Sequence, residues 1–199
     1  MRLEILVRDR CSVMKRLFDV TMSLFLLIVF SVPMVCITLL VKLTSKGTVL
    51  YWSDRVGENN TIFRMPKFRT MLTDTPAVAT HLLSNPEQYL TPIGKFLRKS
   101  SLDELPQLIS IFKGDMSFVG PRPALFNQAD LIELRTQRGV HHLTPGLTGW
   151  AQVNGRDELP ISQKVVLDAY YLDHRSLWLD IKIIALTALK VIRRDGIVH

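Results

Sequence analysis

Two adjacent carboxylates near the middle of the chain have the type and spacing that chemistry on a phosphate requires. Asp103 and Glu104 come just after two cations, Arg98 and Lys99. A carboxylate pair is able to hold Mg²⁺, which prefers oxygen ligands and commonly keeps substrate phosphates as further ligands. A carboxylate is also able to attack a phosphorus atom and form an acyl phosphate. Because acidic residues are favoured at helix starts for structural reasons alone, the local pattern leaves a phosphate-transfer site and a plain helix start both open.

Two arginines close to this pair in sequence are suited to phosphate recognition. Arg98 is able to bind phosphate oxygens through two parallel hydrogen bonds. Arg122 stands between Pro121 and Pro123, which restrict the backbone on either side of it. A rigidly presented guanidinium suits a phosphate or a nucleotide. From the spacing alone, an ordinary surface turn explains the Pro-Arg-Pro segment equally well.

Composition narrows the classes of partner and site. The 199-residue chain has a net charge of +7, which favours a negatively charged partner. We predict no nucleic-acid binding, because the basic residues cluster beside an apolar segment and the acidic pair, without a platform of stacking aromatic residues. Two cysteines do not make a disulfide framework. The sequence also has no zinc-ligand spacing and no glycine-rich phosphate loop.

An apolar segment precedes the candidate chemistry. Residues 20–41 carry no charge, and about 20 apolar residues are enough for a helix to cross a bilayer. Pro33 lies inside the segment and is expected to break the helix. The flanks are basic, with Arg8, Arg10, Lys15 and Arg16 on one side and Lys42 and Lys46 on the other. Since positive charge favours the cytoplasmic side, we predict a re-entrant membrane hairpin over residues 1–46; a single span, a signal peptide and a buried core helix are the alternatives.

Residues 47–199 are predicted to form a compact, mainly helical catalytic domain. Turn residues between extended patterns at 48–52 and 61–63 predict a small β-hairpin. Helices are predicted over 100–112, 127–138, 163–172 and 179–193, and loops over 114–123 and 144–157. Ser101 and Glu104 have capping-box spacing near the start of the first of these helices. The last helix is amphipathic, so it lies either in a membrane interface or in the core.

Several short motifs occur together in a characteristic order. They are Lys15–Asp19, Arg55–Gly57 with Lys67–Met71, Leu97–Gln107, Gly114–Pro123 and Pro145–Arg156. In this order, from about residue 12 to the end of the chain, they resemble the bacterial sugar transferase family, the small monotopic phosphoglycosyl transferases. Each motif alone is weakly specific, but the ordered set is highly specific. The resemblance therefore favours chemistry at Asp103 and Glu104 over a plain helix start.

The resemblance implies a two-step reaction. Asp103 attacks the β-phosphate of a UDP-sugar and expels UMP, and polyprenol phosphate then attacks the aspartyl phosphosugar to give polyprenyl-diphospho-sugar. Asp103 and Glu104 are the implied Mg²⁺ ligands, with Glu104 also able to position the attack. Arg98 is expected to grip phosphate, and Arg122 between Pro121 and Pro123 is expected to meet the uridine nucleotide.

The resemblance also implies further contacts and a cellular location. The other expected substrate-binding residues are Lys67, Arg69, Lys15, Arg16 and Asp168, of which Lys15 and Arg16 either contact the lipid phosphate or hold the apolar segment in place. The implied fold is mainly α with a small β-hairpin, a re-entrant membrane helix–break–helix and interfacial amphipathic helices. The implied location is the cytoplasmic face of the bacterial inner membrane, among membrane lipids, with both termini cytoplasmic. Membrane polysaccharides such as O-antigen, capsule or exopolysaccharide are the expected products, and a homo-oligomer is left open.

Details of the motifs depart from the common family pattern. The break reads Ser31-Val32-Pro33 where adjacent Ser-Pro is frequent, and Ala124 follows Pro123 where Leu is frequent. The Arg-Val-Gly-Glu-Asn-Asn stretch resembles members that act on N-acetylated amino sugars, with a plain hexose as the alternative. The chain looks like the minimal catalytic unit. Two rival functions stay open, a glycosyltransferase that moves only the sugar and releases UDP, and a non-catalytic membrane scaffold.

Overall fold

The computed structural model of the protein describes residues 2–75, 85–155 and 159–193. Helices dominate this part of the chain, as predicted. The α-helices are α1 (Arg2–Val29), α2 (Ser31–Thr44), α3 (Gly94–Lys99), α4 (Gln107–Lys113), α5 (Ala129–Gln137), α6 (Trp150–Asn154), α7 (Ile161–His174) and α8 (Leu177–Arg193). The strands are β1 (Leu50–Val56), β2 (Ile62–Phe68), β3 (Ser117–Val119), β4 (Ala124–Leu125) and β5 (Gly146–Thr148).

The apolar segment forms two helices that meet at a bend. The 12–29 part of α1 and the whole of α2 make an angle of 61°. The break lies at Phe30, whereas the sequence placed it at Pro33. Pro33 belongs to the first turn of α2, where a missing backbone N–H leaves no helical hydrogen bond unmade. Among the described residues, no helix alone has the length and composition of a membrane span, and the bent pair meets that test only jointly.

Helix α1 is built into the hydrophobic core. Phe18, Met22 and Leu26 pack against the main cluster of buried residues, which includes Leu108 and Ile111 of α4. This packing explains why Asp19, a charged residue in α1, is buried: its Oδ1 accepts a hydrogen bond from the Phe118 amide at 3.1 Å. The bent helix pair therefore shares its core with the body that follows.

Two small sheets organise the segment between the bent pair and the C-terminal helices. The predicted hairpin is confirmed but longer, since β1 pairs antiparallel with β2 from Leu50↔Phe68 to Val56↔Ile62. Strand β4 adds to the other edge of β1. Strands β3 and β5 form a separate parallel pair. The sheets bring β2, β4 and β5 to one side of the acidic pair.

The structure corrects four local predictions. Residues 100–112 are not one helix, because α3 ends at Lys99 and α4 begins at Gln107, with a 3-10 turn between them. Ser101 adopts a left-handed conformation (φ 55°) and makes no side-chain capping bond, so the predicted capping box is wrong. The predicted loop over 114–123 contains β3, and the predicted loop over 144–157 contains β5 and α6. The helices predicted over 127–138, 163–172 and 179–193 correspond to α5, α7 and α8.

Candidate active site

The acidic pair lies on a single tight turn between α3 and α4. The turn is the 3-10 segment Leu102–Glu104, and the left-handed Ser101 before it redirects the chain. Asp103 is buried, with 9% of its surface exposed, and Glu104 is half-buried. The two carboxylates are thus held by backbone geometry and lie at different depths.

Lys67 of β2 is the direct partner of Glu104. Its Nζ lies 2.6 Å from Oε1 of Glu104, and both side chains are mostly shielded from solvent. The pair joins the C-terminal end of β2 to the acidic turn, 37 positions away in sequence. Lys67 therefore lies beside the acidic pair with Glu104 as its partner, and the substrate contact that the resemblance implies for Lys67 stays a prediction.

Arg98 lies at the end of α3 beside Asp103. Its Nε donates to the Thr70 hydroxyl at 3.0 Å. Thr70 is buried and lies two residues after the end of β2, so its hydroxyl fixes one edge of the guanidinium. The positive charge of Arg98 also opposes the rise in the pKa of Asp103. Arg98 thus lies next to the acidic pair, and its grip on phosphate stays a prediction.

The two carboxyl groups have opposite pKa shifts. Burial and the neighbouring Glu104 charge raise the pKa of Asp103 to about 6, against the opposing charges of Lys67 and Arg98. Burial also acts to raise the pKa of Glu104, but the charges of Lys67 and Arg122 outweigh it and hold that pKa at about 2. At neutral pH Glu104 is a fixed negative charge, and Asp103 is an ionised carboxylate with a raised affinity for a proton.

A shallow cleft opens over Glu104. Its polar lining consists of Arg55, Lys67, Glu104, Gln107 and Arg122. Met65, Pro123, Gly146 and Leu147 complete the walls. Three cations around one carboxylate give the cleft a net positive charge, which suits a diphosphate group. The Pro-Arg-Pro segment and the acidic turn are separated along the chain by α4 and β3 but face the same cleft.

Four other predicted site residues have partners inside the protein. Arg69 donates to the Ser45 hydroxyl at 2.8 Å and to the carbonyls of Ser45 and Lys46, just after α2. Lys15 pairs with Asp180 at 2.7 Å. These contacts attach α1 and α2 to the catalytic body.

Arg16 and Asp168 are also used internally. Arg16 donates to the carbonyls of Ile111 and Phe112 at 2.7 Å, at the C-terminal end of α4. Asp168 pairs with Arg135 at 2.7 Å. None of these four contacts lies on the cleft over Glu104, so substrate contacts by Arg69, Lys15, Arg16 and Asp168 stay predictions.

Sequence reasoning assigned no role to four residues that lie at the site or support it. Arg55, Thr70 and Gln107 lie within the motifs, but nothing in their spacing marks a contact with the acidic pair or the cleft. Arg135 lies in the last turn of α5 and has no local signal for a role at the site. Its function depends on a partner on α7, which only the tertiary fold reveals.

The described residues offer a limited set of metal ligands. Across residues 2–75, 85–155 and 159–193, no group of three His, Cys, Asp or Glu side chains converges as a metal site. The adjacent carboxylates of Asp103 and Glu104 nevertheless match the protein share of a Mg²⁺ site, because Mg²⁺ commonly takes one or two carboxylates and completes its shell with water and substrate phosphates. The donor set therefore fits a metal that arrives with a phosphorylated substrate.

Comparison with known proteins decides the family. The model of the family described as "Bacterial sugar transferase" matches residues 10–194. The chain belongs to the bacterial sugar transferase family. The predicted family is confirmed by this match.

Three relatives of this bacterial sugar transferase illustrate the range of the family. It is 42% identical to the uncharacterized sugar transferase EpsL of Bacillus subtilis, covering 93% of this chain and 90% of EpsL. It is 43% identical to an undecaprenyl-phosphate glucose phosphotransferase of Komagataeibacter xylinus, covering 87% of this chain and 35% of that protein. It is 38% identical to an undecaprenyl-phosphate galactose phosphotransferase of Salmonella typhimurium, covering 92% of this chain and 41% of that protein.

The two relatives with named activities are longer than this chain, which spans well under half of either. Both are undecaprenyl-phosphate sugar phosphotransferases, which is the class of enzyme that the sequence predicted. The prediction that the chain is a transferase of this class is confirmed at the level of the family.

Proposed function

We propose that this bacterial sugar transferase moves a sugar 1-phosphate from a UDP-sugar to polyprenol phosphate and releases UMP. The observation that carries the proposal is the cleft in which Glu104 faces Lys67, Arg55 and Arg122, with the buried Asp103 beside it. A positively charged cleft receives a diphosphate, and an adjacent carboxylate with a pKa of about 6 is ionised and still basic at neutral pH. Both conditions are needed for attack by a carboxylate on phosphorus.

In the first step an Asp103 oxygen attacks the sugar-bearing phosphorus of the donor. A bond forms between that oxygen and phosphorus, and the bond from phosphorus to the bridging oxygen of UMP breaks, so UMP leaves with the electron pair. In the second step an oxygen of polyprenol phosphate attacks the same phosphorus and displaces the Asp103 carboxylate. Arg98 and Arg122 hold phosphate oxygens during the transfer, since guanidinium groups suit that contact.

Glu104 takes the role of a fixed charge. With a pKa of about 2 it donates no proton at neutral pH. We assign to it, together with Asp103, the carboxylate ligands for Mg²⁺. When bound, the ion would neutralise negative charge on the diphosphate. Lys67 then keeps Glu104 oriented through the 2.6 Å ion pair.

The acceptor explains the bent helix pair. Exposed apolar side chains cover α1 and α2, among them Leu17, Phe25, Ile28, Leu39 and Leu43. We propose that this surface enters one leaflet as a re-entrant hairpin on the cytoplasmic face of the bacterial inner membrane. The acceptor phosphate would then meet the catalytic turn at the headgroup level. Tags on both termini should be reachable only from the cytoplasm, and a periplasmic C-terminus would refute this topology.

Donor specificity is the finer part of the proposal. The named relatives use glucose and galactose donors according to their names, so family membership does not select one sugar. We propose an N-acetylated amino sugar, on the resemblance of residues 55–60 to members that use such donors. The matching assay offers UDP-N-acetylglucosamine, UDP-N-acetylgalactosamine, UDP-glucose and UDP-galactose in parallel, and preference for a plain hexose would overturn this choice.

The decisive experiment identifies the leaving nucleotide and the covalent enzyme. Purified protein is incubated with the UDP-sugar panel and Mg²⁺, first without and then with polyprenol phosphate. We expect UMP as the nucleotide product and, without acceptor, an intact-mass increase equal to one sugar phosphate. Asp103→Asn should bind donor but release no UMP and show no adduct. UDP as product, or a wild-type rate in Asp103→Asn, would overturn the proposed reaction.

A further inference from the structure

The Pro121–Pro123 segment is held through its carbonyl groups. Prolines have no backbone N–H, so the segment is poor in donors and must be fixed by its acceptors. Its three carbonyls in sequence order accept hydrogen bonds from the Gly146 amide at 2.9 Å, from Arg135 Nη1 at 2.8 Å and from Arg55 Nη1 at 3.2 Å. Three separate parts of the chain thus set the position of the Arg122 backbone.

Arg135 is itself oriented by a buried partner. Its Nε and Nη2 both donate to Oδ2 of Asp168, at 3.0 and 2.7 Å. The Asp168 side chain is 1% exposed and that of Arg135 is 11% exposed. Because a guanidinium is planar, these two contacts leave Nη1 directed at the Arg122 carbonyl. The three nitrogens of Arg135 on α5 therefore link Asp168 on α7 to the Arg122 carbonyl at the cleft.

Cohesion between α5 and α7 does not require this ion pair. Leu131 of α5 and Val165 of α7 already belong to one buried apolar cluster with Ala124. A buried ion pair has a large desolvation cost and is weak evidence for stability. We explain the ion pair by the remaining hydrogen bond of Arg135, in which Nη1 fixes the carbonyl of Arg122.

We propose that Asp168 and Arg135 are positioning residues for Arg122 and act on donor binding through the Pro121–Pro123 segment. The resemblance predicted that Asp168 contacts substrate. In this proposal Asp168 acts through Arg135 and contacts no substrate atom. The inference rests on the proposed function, because it takes the UDP-sugar as the ligand of Arg122. It assigns a purpose to a buried charge pair that lies outside the cleft.

The test compares three variants that disturb the same helix pair differently. Asp168→Asn removes the charge that orients Arg135, and Arg135→Lys keeps the positive charge but removes the planar group that reaches the carbonyl. Val165→Ala, on the same face of α7, weakens the packing and leaves the hydrogen bonds intact. For each we would measure the thermal midpoint and separate KM values for UDP-sugar and polyprenol phosphate.

We expect the KM for UDP-sugar to rise roughly tenfold in Asp168→Asn and Arg135→Lys, as lost hydrogen bonds to charged groups predict. The KM for polyprenol phosphate should stay within twofold. Val165→Ala should lower the thermal midpoint with no donor-specific change. The double variant Asp168→Asn/Arg135→Lys should have a donor KM no higher than that of the more impaired single variant. The two effects are not additive because both substitutions break the same series of contacts.

The outcomes separate this inference from the function on which it rests. Normal donor KM values in both single variants would overturn the inference while the proposed function stands. The inference would also be overturned if the KM values for UDP-sugar and polyprenol phosphate rose equally and Val165→Ala showed the same rise at the same loss of thermal midpoint. The Asp168–Arg135 pair would then have only a structural role. A wild-type protein that releases no UMP from any UDP-sugar would overturn the proposed function itself.

Discussion

Asp103, the proposed nucleophile, has a higher pKa than an ordinary aspartate. Its pKa of about 6 arises from burial and from the adjacent Glu104 charge. The carboxylate form is needed for attack, so the rate should follow deprotonation. We expect kcat/KM for donor to fall as the pH drops through about 6 and to level off above pH 7. A pH series of UMP release at donor concentrations well below KM measures this, and an unchanged rate down to pH 5 would contradict it.

Removing the charges around Asp103 should shift the low-pH fall of the rate, here called the acidic limb of the pH profile, in opposite directions for opposite charges. Lys67→Met removes a positive charge that lowers the pKa of Asp103, so the limb should shift to higher pH by roughly 1 unit. Glu104→Gln removes a negative charge that raises the pKa, so the limb should shift to lower pH. Both variants will also lose rate, and therefore the position of the limb is the informative quantity. Shifts of the same sign would show that another group controls the profile.

Thr70 offers a test of how Arg98 is held. Thr70→Val removes the hydroxyl that accepts from Arg98 Nε at 3.0 Å and keeps the shape of the side chain. We expect kcat/KM for donor to fall roughly tenfold, the usual effect of losing a hydrogen bond to a charged group. Thr70→Ser keeps the hydroxyl and is the matched control. Equal losses in the two variants would mean that packing of the methyl group matters, and not the hydrogen bond.

At the scale of elements, the turn that carries the acidic pair depends on one unusual residue. Ser101 is exposed and has φ 55°, a conformation that glycine adopts readily and β-branched residues adopt poorly. Ser101→Val should destabilise the protein by about 1–2 kcal/mol relative to Ser101→Gly. Chemical denaturation of the two variants measures the difference. A stability ranking in which valine equals glycine would show that the turn relaxes freely.

The same turn shows where sequence reasoning ends. The hairpin β1–β2 and helices α5, α7 and α8 were predictable because hydrophobic periodicity and turn residues are local signals. The capping box failed because Ser101 and Glu104 have the right spacing in a backbone that is left-handed at Ser101. Local spacing gives no information on that conformation, which belongs to the turn that joins α3 to α4.

The site was partly predictable for a related reason. Asp103, Glu104, Arg98 and Arg122 carry chemically distinctive groups, and the order of the motifs marked them. The contact between Arg135 and Asp168 joins helices that are 33 positions apart, and the link to the Arg122 carbonyl depends on how α5 packs. No pattern of residue types encodes that link, so it required the fold.

At the scale of the whole molecule, the buried Asp103 charge opposes folding. Its pKa is raised from an ordinary 3.8 to about 6, so the folded state binds the proton more tightly than the unfolded chain. The associated stability is present at low pH and is lost as the pH rises through about 6. Asp103→Asn removes this dependence and should stabilise the protein at pH 8 by up to about 3 kcal/mol.

Thermal unfolding of wild type and Asp103→Asn at pH 5 and pH 8 measures this effect. The gap between the two proteins should be larger at pH 8. A gap that shrinks as the pH rises would show that the ionised carboxylate is stabilised by the site.

The packing of α1 into the core has a consequence for how the protein matures. Phe18, Met22 and Leu26 complete the same buried cluster as α4 and the C-terminal helices. Under the proposed hairpin, the same helix would dock its inner face on the core and place its exposed apolar face in lipid, so maturation of the protein would couple folding to membrane insertion.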